Sequence, residues 1–546
     1  MNRSPVANSS DILEKAARLL QAGRYVDAAS ALRQALDLAP SSPAVRQAMT
    51  HLATLARNWL TLGQVRLALD SLAPLAGSQY ANGTVLMLYG HALMSAGRKD
   101  DAEGILRRWW RQEPGNRDAI LRLAAVLADN GKPGEAETIV RRNIAISGGA
   151  ADVAFVLGRA LFEQARFDEA EAEFRKVVRV QSDHQIAHGN LMELVWMRTG
   201  DVSEASRDLD KALHANPGSQ GLRITKARLL TSAQLPREAL AEIDAGLSLA
   251  PSNPALLAAA TTIALDFDGV RALAYAKRLQ DVAPQDSAAR VAIGNASLAT
   301  GRAQEALAIA ETLHHSDPTD GRALAMKADA LRMLGDSRYR ELLDYQHFVR
   351  AELIDVPPGW TDLGAYVADL ASDLKQLHTL RAHPIGNSLR DGSQIPLVPQ
   401  DSPFASIRAF PEAIDGPIRR YMQALGGGTD PMRRRNTGRY SISGMWSVRL
   451  RPHGFHVNHY HPEGWISSAC YLHIPSAVEK RGGQGWLKLG ESAFPTTPAL
   501  EPEYFIRPRP GLLALFPSYM WHGTVPFSGT PEDTRVTIAF DVVPTP

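Results

Sequence analysis

Along the first 340 residues, apolar positions recur at three- and four-residue intervals, the spacing that gathers side chains on one face of a helix. Each amphipathic stretch is followed by a Gly-containing turn, a second amphipathic stretch and a break such as "NPGS" or "APSNP". The segments "GRKDDAEGILRRWW", "ARFDEAEAEFRKVV" and "GRAQEALAIAETLH" fall into one frame. Its shared alanine recurs at Ala28, Ala68, Ala102, Ala136, Ala170, Ala205, Ala239, Ala272 and Ala306, at spacings of 40, 34, 34, 34, 35, 34, 33 and 34. A small residue there lets two helices of a hairpin cross closely. Near residue 340 the frame is lost. "YRELLDYQHFVRAELI" reads as a capping helix and "DVPPGW" as a linker, together covering 341–360. A helix over "TDLGAYVADLASDLKQLH", a Pro/Gly/Ser-punctuated stretch and a helical patch at "EAIDGPIRRYMQALG" follow. From Tyr440 the period becomes two: Ile442, Trp446, Val448 and Leu450 alternate with Ser441, Ser443, Ser447, Arg449 and Arg451. "WISSACYLHI", "GWLKL", "GLLALF" and "RVTIAFDVV" are further strand candidates, and short strands without intervening helices suggest a sandwich or barrel.

The period near 34 resembles the tetratricopeptide repeat, in about nine units over residues 9–340. That resemblance implies a superhelix with a concave groove that holds a peptide or a partner protein. The array also offers a surface for homo-oligomer formation or a scaffold for the second domain. Trp109 and Trp110 read as packing residues within a helix.

Composition narrows the partners. With 59 basic and 58 acidic residues the formal charge is +1, which gives no general attraction to nucleic acid or to a membrane surface. Cys470 is the only cysteine, so the chain forms no internal disulfide and suits a reducing, cytoplasmic setting. The N-terminal stretch lacks the apolar core of a secretory signal, and no stretch has the length of a membrane span.

The candidate chemistry begins at "HVNHYHPEGW", residues 456–465. In strand geometry His459 and His461 leave one face and can converge on a metal, whereas His456 would leave the other face. His522 ends the buried strand "GLLALFPSYMWH". Arg535 and Thr537 then share a face in "RVTIAF", where a guanidinium and a hydroxyl suit a carboxylate. Pairing of Arg535 with Asp541 on its own strand is the plainer alternative.

This run, about 440–543, resembles the 2-oxoglutarate- and Fe(II)-dependent oxygenases, with "HYHPEGWISSACYL" similar to a bacterial H-x-H-P subgroup. The resemblance implies a double-stranded β-helix, or jelly roll, with flanking helices over 361–546. It implies Fe(II), 2-oxoglutarate as co-substrate and O₂. It places His459 and His522 as catalytic metal ligands, and Arg535 and Thr537 on the far carboxylate of 2-oxoglutarate, with Tyr471 beside them. His461 stands where most members carry Asp or Glu, and is open between a third ligand, a group that supports the ligands from behind, and a substrate contact. Trp446, Arg449, Asn458 and Trp465 are candidate substrate contacts. The expected activity is hydroxylation of a peptide or protein side chain presented by the repeats. Oxygenation of a small metabolite, with the repeats as assembly scaffold, stays open beside it. So does a cupin-like metal-binding or adaptor protein without oxygenase activity.

Overall fold

The computed structural model describes residues 5–143, 151–479 and 482–545, so the end of the expected second domain at Pro546 lies outside the described residues. The chain forms two compact units, Met1–Ala187 and His188–Pro546. The repeats thus belong to both units rather than to one. Among the described residues, no helix is long and apolar enough to cross a membrane.

The first unit is a series of paired helices, among them Gly83–Ser95 with Lys99–Gln112 and Arg117–Asp129 with Pro133–Arg142. The nine frame alanines are at most 4% exposed, as close crossing of each helix pair requires. The long first interval has a local cause: helix Pro43–Thr61 has 19 residues, where its counterpart Arg117–Asp129 has 13. Asn82 and Asn116, after the breaks, cap the next helices by accepting from Val85 N and Ala119 N. Five positions ahead of the frame alanine the turn needs a left-handed residue, as Gly97 supplies at φ 73°.

In the second unit the repeats continue through helices Gln220–Ser232, Pro254–Leu265, Ser287–Ala299 and Gly321–Met333. The strand-rich domain builds directly against them. Its segment 381–386 meets residues 193–197 of helix Gln185–Thr199 and the end of helix Gln220–Ser232. Met197 O accepts from Arg381 N and Ala382 N, Trp196 Nε1 donates to His383 O, and Glu193 and Ser232 accept from Ile385 N and Gly386 N.

Nine strands follow: β1 (Arg350–Leu353), β2 (Leu389–Pro396), β3 (Tyr440–His456), β4 (Ile466–His473), β5 (Leu487–Leu489), β6 (Tyr504–Ile506), β7 (Leu512–Pro517), β8 (His522–Thr524) and β9 (Arg535–Pro544). They form an antiparallel sheet of order β1-β7-β4-β9-β3-β2 and a smaller sheet of order β6-β5-β8. This is the two-sheet, jelly-roll arrangement. On β9, Val536, Ile538 and Phe540 pack with Tyr366, Leu370 and Ile414 of helices Leu363–Leu377 and Phe410–Leu425. Alternate residues of β9 therefore face the other way, toward the small sheet.

Two segments differ from expectation. The stretch read as a capping helix and linker holds a 3₁₀ turn at Ser337–Glu341, one helical turn at Tyr345–Phe348, and β1, which pairs with β7 from Arg350↔Leu515. Alternation over four residues is too short to separate a strand from a helix end. The punctuated stretch before 400 contains β2, whose register with β3 jumps from Arg390↔Phe455 to Gly392↔Leu450. Asp391 and His453 at that bulge have φ of 50° and 68°, so the turn-like composition reports the bulge and hides the strand.

Candidate metal centre

β3 stops at His456, and the chain then crosses to the small sheet, where His459 and His522 exchange both backbone hydrogen bonds, each N–H donating to the other's carbonyl at 2.9 Å. Residues so paired project to the same side of a sheet, which is why two histidines 63 positions apart converge. His461 N donates to Ser518 O and extends the pairing. One imidazole nitrogen from each of His459, His461 and His522 lies within 4.8 Å of the others. Because the chain leaves strand geometry after His456, counting faces fails for that residue. His456 lines the same cavity, its ring centroid 5.8 Å from that of His459 and its Nδ1 2.9 Å from Ser388 Oγ.

Each of the three imidazoles has its tautomer set from behind. Nδ1–H of His459 donates to Val457 O and Nδ1–H of His522 to Met520 O, both at 2.9 Å. His461 Nδ1–H donates to the Asp541 carboxylate at 2.6 and 2.8 Å. With Nδ1 committed, the Nε2 atoms are the ones available as ligands, that of His459 also lying 3.3 Å from Ser388 Oγ. Burial, and for His459 the neighbouring His461, holds His459 down at about 4 and His522 well below its usual value. Both are neutral near pH 7, the form that binds a metal.

Asp541, the alternative partner for Arg535, is engaged by other groups. It shares the inward face of β9 with Arg535, Thr537 and Ala539, yet its partners are His461 and Ser467 Oγ, at 2.8 Å, and not Arg535. The negative charge missing at position 461 is thus present one imidazole further out. Its odd-numbered position, in phase with Arg535 and Thr537, was the available signal.

The cavity between the sheets measures about 450 Å³. Arg535 and Thr537 line it at 2% and 3% exposure. The Arg535 guanidinium lies 4.9 Å from the Tyr471 ring centroid, its buried Nε meets no acceptor among the described residues, and Tyr471 rather than any acid is the group that acts on it. A buried, uncompensated guanidinium beside a buried hydroxyl is an arrangement that a carboxylate completes. The histidine donor set and this uncompensated guanidinium fit Fe(II) and a dicarboxylate such as 2-oxoglutarate.

The other candidates divide. Trp446 lines the cavity, with its ring 5.9 Å from His461. Asn458 sits behind it and donates to Ser492 O at 3.1 Å. Trp465 is 1% exposed in the core and donates to Met432 O. Arg449, odd-numbered on β3, faces away from the cavity, onto the other side of the sheet.

Repeat helix Gly321–Met333 supports both histidine segments. Asp329, 1% exposed, accepts from Trp521 Nε1 at 2.8 Å and Ser492 Oγ at 2.7 Å. Trp521 precedes His522 and packs edge-on against Tyr460, between His459 and His461, at 4.6 Å. Gly321 N donates to Pro462 O.

Residues 444–541 match a family described as "Putative 2OG-Fe(II) oxygenase". Tetratricopeptide repeat families match residues 54–117, 117–190, 155–220 and 197–263. No curated protein matches the chain. Among solved structures, a tetratricopeptide repeat protein from Parabacteroides merdae is 16% identical, covering 47% of this chain and 98% of that one at a TM-score of 0.34. PilF of Pseudomonas aeruginosa is 21% identical, covering 38% and 93% at a TM-score of 0.27. The chain therefore joins tetratricopeptide repeats, matched over 54–263, to a C-terminal domain that matches the "Putative 2OG-Fe(II) oxygenase" family over 444–541.

Proposed function

We propose that the protein is an Fe(II)- and 2-oxoglutarate-dependent dioxygenase that hydroxylates a peptide or protein side chain. The observation that carries this reading is the convergence on one cavity of three Nδ1-anchored histidines and the buried Arg535, which no acid compensates. His459, His461 and His522 hold the metal, and Asp541 orients His461 and lends it charge. Arg535 and Thr537 grip the far carboxylate of 2-oxoglutarate, with Tyr471 beneath the guanidinium. Trp446 borders the space left for substrate. When bound, iron and 2-oxoglutarate supply oxidative decarboxylation to succinate and CO₂, coupled to oxygen insertion into a C–H bond. The protein residues fix the donors and orient the co-substrate.

The repeats divide this work. Those after residue 188 are engaged by the chain's own segment 381–386 and, through Asp329, by Trp521 and Ser492, so a partner is held by the repeats of the first unit. A cytoplasmic setting keeps Fe(II) and the buried Cys470 reduced. A second reading, oxygenation of a small metabolite with the repeats as support, is favoured by that same engagement of the later repeats. The test is succinate formation from 2-oxoglutarate with Fe(II) and O₂. Wild type turns over and His522→Ala falls more than about 100-fold. Absence of both turnover and 2-oxoglutarate binding in wild type overturns the reading.

A further inference from the structure

Another cavity, about 1130 Å³, lies on the opposite face of the large sheet, under helix Leu363–Leu377. Leu363, Val367, Ala371 and Lys375 face it as one helical stripe, while Gly364, Ala368 and Ser372 beside them are too small to fill it. Its sheet side runs from Leu353 on β1 across Leu472 on β4 and Val536 on β9 to Arg449 and Arg451 on β3. The end at Leu353 and Leu363 is apolar inside, with the exposed Arg509 at its rim, and the other end is cationic.

At the cationic end Asp391 acts on Arg451, whereas no acid acts on Arg449. Arg449 and Arg451, two apart on β3, leave the same face. Arg451 donates to the carbonyls of Leu380 and Arg381. Arg449 has no hydrogen bond or ion pair among the described residues, and its Nε is sealed from solvent without a partner. Burial, and after it the neighbouring Arg451, pushes the Arg449 pKa down. The group packed beneath is His378, held neutral by burial and by the same two arginines while bonded to Ser393 and Ser447. Glu532 is the one acid lining the groove, and no ion pair joins it to Arg449 among the described residues. Two partly desolvated guanidiniums side by side are unfavourable until an anion joins them.

We propose that this groove binds an anionic amphiphile, a single-chain aliphatic carboxylate with its head between Arg449 and Arg451 and its chain along helix Leu363–Leu377 toward Leu353. Charge selects the head, and the apolar walls select the chain. The stripe from Leu363 to Lys375 spans about 18 Å at the helical rise, the reach of an extended chain of roughly a dozen carbons. The site is separate from the cavity of the three histidines and stands whether or not that cavity is an oxygenase centre.

The test is calorimetric binding of dodecanoate, decanoate, dodecanol and acetate to the full chain, below micellar concentrations. Dodecanoate binds saturably, about threefold to fourfold tighter per methylene than its shorter homologues. Arg449→Gln weakens it by about ten- to a hundredfold. Ala368→Trp, on an exposed helix position, blocks binding by filling the groove while leaving the charges in place. Circular dichroism and thermal melting show that both variants are folded. The proposal is overturned if dodecanoate does not bind, if dodecanol or acetate binds as well as dodecanoate, or if both variants bind like wild type. It is also overturned if an acidic peptide binds the groove and dodecanoate does not.

Discussion

The two faces of one β-sheet carry opposite arrangements of charge. On the inner face of β9, Arg535 and Thr537 line a cavity of about 450 Å³ with three imidazoles whose outer nitrogens are all bonded, that of His461 to Asp541 behind it. On the outer face Arg449 stands uncommitted in a larger groove flanked by apolar side chains. Inside, the imidazoles are oriented in advance by the groups behind them, as chemistry at a metal requires. Outside, polarity is left open at one end of an apolar path, as recognition of an amphipathic molecule requires. Period-two alternation lets one strand serve both.

The sharpest way to break this comparison is to remove the charge behind the inner face. Asp541→Asn keeps the shape but withdraws the carboxylate from His461, and metal affinity falls by about 10- to 100-fold in an equilibrium metal titration. Unchanged affinity would place His461 outside the metal's ligands. Asp329→Ala acts on the support instead. It leaves Trp521 Nε1 and Ser492 Oγ without their acceptor and lowers stability by about 2 kcal/mol in denaturant unfolding, while Asp329→Asn, which retains an acceptor oxygen, loses less. Equal losses in the two variants would remove the Trp521 hydrogen bond from the account. The smallest effect belongs to the outer face: Arg449→Gln leaves succinate formation within about twofold of wild type. A larger drop would mean that the two faces are coupled.

The repeats were legible because their signal is periodic and local: an alanine every thirty-four residues survives irregular neighbours. The convergence of His459 with His522 was legible only through the resemblance, since 63 residues separate them and no local pattern spans that distance. Three matters were hidden for physical reasons. His456 defeated face counting because the strand breaks after it. Arg449 was a candidate by type, although its parity on β3 already set it opposite Trp446. Asp541 was weighed as a partner for Arg535 on its own strand, and the pairing with His461 crosses to the other sheet, which no spacing rule reports. The engagement of the later repeats by segment 381–386 is likewise tertiary, carried largely by backbone groups that leave no mark on composition.

The central claim is that three histidines and Arg535 form one site for a metal and a dicarboxylate. It is tested most directly by calorimetric binding of 2-oxoglutarate to the anaerobic, Fe(II)-loaded full chain, with metal-free protein and Arg535→Met alongside. Metal-dependent binding, weakened about 100-fold in Arg535→Met, is the predicted result. Binding that needs neither the metal nor Arg535 would contradict it.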